Sequence, residues 1–156
     1  MLSVPVLNGN SKQLIRDTKI DNSQSWQKTN WRTINAAYAK APYFEFFSDY
    51  FRPSFERKTD FLWDFNFELL TICLKLLKLN PNIQFSENYT KIHTDSVLDA
   101  RSFIHPKKST AISSFFCPFV YTQNFGNEFE NNLSIIDLLF CKGLDAKMIL
   151  QKSLII

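Results

Sequence analysis

Glycine is scarce in this chain, with only Gly9, Gly126 and Gly143 among 156 residues. That excludes a glycine-rich phosphate loop, whose backbone must come close to the ligand, and no GxSxG nucleophile elbow occurs either. Charge imbalance is also small: 18 Lys and Arg face 15 Asp and Glu, leaving +3. So weak a field does not provide the phosphate-neutralising surface that nucleic acid requires, and no nucleic-acid partner is expected. Histidine is limited to His93 and His105, neither at ligand spacing from a cysteine or from the other. A closed zinc site therefore lacks support, and neither a metal nor a cofactor is expected. The three cysteines, Cys73, Cys117 and Cys141, contain no CxxC pair and cannot all be disulfide-bonded. They read as buried thiols in a reducing compartment. No long apolar run is present, because the longest uncharged stretch, Ser109 to Asn127, is interrupted by serines, Pro118, Thr122, Gln123 and Asn124. It does not suit a transmembrane segment. Met1 to Lys12 lack the basic and apolar regions of an export signal, and a cytoplasmic location is expected.

What the chain does have is aromatic mass: sixteen Phe, five Tyr and three Trp make up 15% of it. With 45% hydrophobic and 21% charged residues the composition is that of one folded domain. A domain of this length buries roughly 68–70% of its unfolded surface.

Local patterns predict an α+β fold, a small N-terminal antiparallel sheet packed on a bundle of four or five helices. Val4 and Val6, the Asn8-Gly9 turn and Leu14 to Ile20 read as an extended hairpin, with Pro5 at an edge. A first helix follows the capping residues Asp21-Asn22-Ser23 and carries Trp26, Trp31, Ile34 and Tyr38 on its core side until Pro42 ends it. Tyr43 to Phe51 reads as a second, mostly buried helix closed by Pro53, and Asp60 to about Leu79 as a central helix capped by Thr59. Asp60, Asp64, Glu68, Thr71, Lys75 and Lys78 fall on one narrow stripe of that helix, with Asn66 on the apolar side, where its amide is expected to be buried and bonded. The acidic row is explained by the helix dipole without a metal. Short strands are expected at Ile83 to Ser86 and within Phe115 to Tyr121, and terminal helices at Leu133 to Cys141 and Leu144 to Leu150. Ser134 and Asp137 fit a capping box.

Arg101, His105, Lys107 and Lys108 place four donors within eight residues, beside a Pro106 that stiffens the step. They read either as a basic solvated loop or as a site for phosphate or carboxylate.

Three stretches resemble the WbqC-like family. They are Trp26-Gln27-Lys28-Thr29-Asn30-Trp31-Arg32-Thr33-Ile34 with Ala37-Tyr38 and Ala41-Pro42-Tyr43-Phe44; Asp99-Ala100-Arg101 with His105-Pro106-Lys107-Lys108; and Tyr121-Thr122-Gln123-Asn124-Phe125 with Asn132 through Phe140. The resemblance covers most of the chain and implies one WbqC-like domain over residues 1–156, of the short Bacteroidetes-type form. Two departures stand out. The family's aromatic-rich N-terminal segment is not found before Ser3-Val4-Pro5-Val6, and Asn30 stands where the family tends to carry His. Asn cannot act as a general base near neutral pH as His can.

The resemblance implies a cytoplasmic transferase of bacterial surface-polysaccharide biosynthesis, the O-antigen or capsule class, moving an acyl or glycyl-type aminoacyl group to an amino sugar. In that reading Arg101, His105 and Lys107 hold an anionic partner such as a nucleotide sugar, while Tyr121 and Gln123 help bind the acceptor. The alternative is a non-catalytic interaction domain or an inactive truncated relative. No catalytic residue and no oligomeric state is assigned.

Overall fold

Residues 2–9, 13–86, 99 and 116–155 are described by the structure, a computed structural model. Helices α1 (Trp26–Tyr38), α2 (Phe44–Glu56) and α3 (Leu62–Leu76) form the first half, and α4 (Ile135–Lys142) and α5 (Ala146–Lys152) close the second. On α1 the buried residues Trp26, Asn30, Ile34 and Tyr38 recur every fourth position, so a single stripe faces inward. The helix is approached through a turn in which Asp21 accepts from the Ser23 amide and Asn22 accepts from the Trp26 indole. Such turns set the chain direction before the first helical bond.

Aromatic rings link the helices in a continuous series. Trp26 of α1 meets Phe65 of α3 edge-on at 5.2 Å, Phe65 meets Phe55 of α2 at 5.6 Å, and Phe55 stacks on Trp31 at 5.5 Å. Phe140 of α4, fully buried, packs against Tyr38, Phe44 and Phe51 at 5.0–5.7 Å. Rings at these separations add to the gain from burial alone. Glu68 of α3 joins the end of α2 from outside the core, accepting from Ser54 Oγ at 2.8 Å and pairing with Arg57 at 2.6 Å.

The expected N-terminal sheet is not formed. Among the described residues there are only isolated antiparallel bridges, Val6 with Ile20, Lys19 with Phe61 and Phe116 with Leu154, and no strand, so the fold is helical rather than α+β. The cause is local. Ile15–Asp17 coils into a 3-10 turn in the middle of the predicted second strand, and Pro5 has no amide to donate. What survives is a main-chain seam: Leu7 N donates to Lys19 O, Asp21 N to Pro5 O, Ile20 N to Asp60 O and Leu62 N to Thr18 O.

That seam also moves the start of α3. Residues 60 and 61 are held extended beside Thr18 to Ile20, so the helix begins at Leu62, and Thr59 does not cap it; its buried hydroxyl has no hydrogen-bond partner. Pro53 does not close α2 but lies within it, and the helix runs three residues further. One α2 face stays in solvent, where Phe46 and Tyr50 are exposed. Asn66 is exposed rather than buried, because α3 packs through Phe65, Cys73 and Leu76 and leaves the neighbouring face, including Leu70, open. Residues 83–86 are irregular, and the segment from Phe116 to Tyr121 makes one bridge only. Cys117 is exposed, unlike the buried Cys73 and Cys141.

Between α4 and α5, Gly143 adopts φ +54°, a conformation that side chains disfavour, and its α-carbon lies against the Tyr43 ring. The Tyr43 amide donates to Phe140 O at 2.9 Å, fastening α4 to the start of α2. Among the described residues, no helix is long and apolar enough to cross a membrane.

Candidate functional site

Asp137 lies in the first turn of α4, flanked by Ile135, Ile136, Leu138, Leu139 and Phe140. A carboxylate on so apolar a helix has no wet face to turn toward. It is completely buried, and its two closest partners come from the irregular segment before the helix. Tyr121 donates its hydroxyl to Oδ2 at 2.7 Å and Gln123 Nε2 donates to the same oxygen at 3.1 Å. Cys141, one turn along α4, lies with its Sγ 3.9 Å from Oδ1, and the charge of the same carboxylate also acts on the Tyr38 phenol of α1. Several donors around one carboxylate are what its burial demands.

The predicted capping box is therefore not formed. Ser134 occupies the cap position without a side-chain bond, the Asp137 amide donates instead to Ser134 O at 2.9 Å, and the carboxylate turns inward.

Gln123 is used at both ends of its amide. Beyond Asp137, its Nε2 donates to Glu130 O at 3.0 Å and its Oε1 accepts from the Glu130 amide at 2.8 Å. This double bond pattern closes the loop between residues 123 and 130. The next residue, Asn124, donates to Ala37 O at 2.6 Å and ties the same loop to the end of α1.

The electrostatics follow from burial and from the Asp137 charge. Burial, and next the negative carboxylate, push the Tyr38 phenol well above its usual range; for Tyr121 burial is again the main cause and the bond to Asp137 the second. The Cys141 thiol is raised to about 11, by burial first and by Asp137 next. All three side chains stay protonated at neutral pH, and Tyr121 and Cys141 serve as donors. A thiol held this way is not an activated nucleophile.

Tyr121 and Gln123 also face outward. With Phe119, Phe129, Lys142 and Asp145 they line an open cleft of about 580 Å³. That volume lies within the ordinary range for small-molecule sites. Asp137 lies behind the wall and holds it in shape.

Of the residues predicted to bind substrate, the structure brings Tyr121 and Gln123 together at this cleft. Arg101, His105, Lys107 and Lys108 lie outside the described residues. Asn30 is buried on α1, where its Nδ2 donates to Ser3 O at 2.9 Å, and it lines a separate, mainly apolar cavity of about 400 Å³. Asp60, Asp64 and Glu68 do not act as a row: Asp60 precedes α3, Asp64 is exposed and Glu68 is engaged with Ser54 and Arg57. Asp137 itself escaped the sequence reading because the Ser134-x-x-Asp137 spacing explained it as a cap. The signal that could have found it is its position as the one charge within six otherwise apolar helix residues.

A sequence model of the WbqC-like protein family matches residues 1–149. The chain belongs to the WbqC-like protein family. No curated protein and no solved structure matches it. The WbqC-like region includes Asn30, Tyr38, Tyr121, Gln123, Asp137 and Cys141, and so the whole Asp137 cluster.

Proposed function

We propose that this WbqC-like protein is a cytoplasmic transferase of bacterial surface-polysaccharide biosynthesis, joining an acyl or aminoacyl group to an amino sugar. The observation that carries this reading is the cleft walled by Tyr121 and Gln123, both fixed from behind by Asp137. A pre-ordered wall beside one cation, Lys142, and two carboxylates, Glu128 and Asp145, suits a small polar acceptor that carries an amine better than a flat surface would. In the transfer, the amine nitrogen of the sugar attacks the acyl carbonyl carbon. An amide forms, the ester or thioester bond to the donor breaks, and the amine proton leaves with the departing group or to solvent. Arg101, His105 and Lys107 are assigned to the anionic part of the donor or of a nucleotide sugar.

A second reading, a binding domain without catalysis, is favoured by the chemistry of Asn30 and Cys141. Asn30 spends its amide on Ser3 O, and the Cys141 thiol is raised rather than lowered. The experiment that separates the two is incubation with nucleotide-linked amino sugars and acyl or glycyl thioesters, followed by mass spectrometry of the sugar. A mass gain of one acyl group that disappears in Arg101→Ala supports the transferase. Saturable, salt-sensitive calorimetric binding of the nucleotide sugar without any product supports the binding domain.

A further inference from the structure

The cleft has an apolar neighbour. Phe119, Tyr121, Phe129 and Ile149 line not only the cleft but also a trench of about 330 Å³, whose other walls include Leu133 and Leu150. The two spaces adjoin along those four shared residues and differ in chemistry. On the cleft side stand the Lys142 ammonium, the Glu128 and Asp145 carboxylates and the Asn127 amide; on the trench side the walls are chiefly aliphatic and aromatic. Apolar surface there remains in contact with water, since Leu133 is 39% and Phe119 44% exposed. A hydrocarbon chain laid along it would remove that surface from water, which is the main source of affinity for an apolar ligand.

The polar end of such a ligand is constrained by the cleft. Lys142 shares the cleft with two carboxylates, Glu128 and Asp145, so a bare anion is disfavoured, while those carboxylates, the Asn127 amide and the Thr122 hydroxyl suit the hydroxyls and amine of an amino sugar. We infer that the site takes an amphiphile of the glycolipid type, with its sugar head in the cleft and an attached single hydrocarbon chain in the trench. This deepens the transferase reading and rests on its assignment of the cleft to a sugar. It adds that the sugar arrives with a chain attached.

The test is calorimetry with methyl glucosaminide, octyl glucosaminide below its critical micelle concentration, and octanoate. The octyl glycoside is expected to bind the parent at least about tenfold more tightly than the methyl glycoside, because each buried methylene adds affinity. Leu133→Asp, on a residue already in contact with water, is expected to close most of that gap and to leave the methyl glycoside unchanged; Leu150→Ser, at a second lining residue on α5, is expected to do the same. Equal affinities for the two glycosides in the parent would overturn the trench as a chain site while sparing the sugar reading. A gap that survives in both variants would overturn it as well. Failure of the sugar reading has a different signature: octanoate would bind the parent as tightly as the octyl glycoside, and the methyl glycoside would not bind.

Discussion

Gly143 touches the ring of Tyr43 so closely that a β-carbon at residue 143 would overlap it. Two helix junctions meet there, the α4 end and the α2 start, and the Tyr43 amide is bonded to Phe140 O in the same place. Gly143→Ala brings together a clash and a disfavoured positive φ, and is expected to destabilise the protein by about 2–4 kcal/mol. The urea midpoint measures it, with Gly126→Ala as the comparison: Gly126 shares a positive φ, but its nearest neighbour leaves ordinary contact distance.

Removing Asp137 leaves the Tyr121 hydroxyl without its acceptor and the Gln123 amide without one of its two. Asp137→Ala should therefore cost about 2–4 kcal/mol, whereas Asp137→Asn retains an oxygen acceptor and should cost less. Ser134→Ala, by contrast, removes no capping bond and is expected to leave thermal stability within about 0.5 kcal/mol.

Alkaline pH should weaken the fold through the same cluster and through the buried Cys73 of α3. Cys73 and Cys141 are raised from 9.0 to about 11, so the stability they contribute is present below pH 9 and lost as pH rises toward 11. Tyr38 and Tyr121, raised from 10.0, extend that loss to higher pH. A melting temperature that falls progressively above pH 9 is the expected result. Asp137→Asn should bring the tyrosine absorbance titration to lower pH, because the carboxylate charge that opposes a phenolate is gone.

The helices were legible because their apolar residues repeat at helical spacing, as Trp26, Ile34 and Tyr38 do on α1 and Phe44, Phe47 and Phe51 on α2. The seam at Pro5, Lys19 and Asp60 was not, since single main-chain bonds between distant segments leave no periodic trace. Tyr121 and Gln123 entered through a resemblance between sequences, and their shared acceptor stayed hidden because local capping chemistry gave Asp137 a sufficient role. Asn66 misled for a related reason: a face that reads as apolar is buried only where another element covers it.

Thiol chemistry offers a quick check of the packing. Cys117 is exposed while Cys73 and Cys141 are buried, so a disulfide reagent should titrate one thiol rapidly in the native protein and three in denaturant. Fast reaction of all three without denaturant would contradict the burial of the α3 and α4 thiols.

Replacing Asn30 by Ala removes its bond to Ser3 O and should cost about 1 kcal/mol, read from the urea midpoint. Asn66→Ala, at an exposed position, should change stability by less than about 0.5 kcal/mol.

The place of Phe140 has a consequence for how the protein is made. A ribosome delivers α1 and α2 long before it delivers α4, so Tyr38, Phe44 and Phe51 wait without their Phe140 partner until α4 emerges. During that interval the nascent chain is expected to expose apolar surface, and a message cut short before α4 to yield a product that chaperones hold and proteases remove.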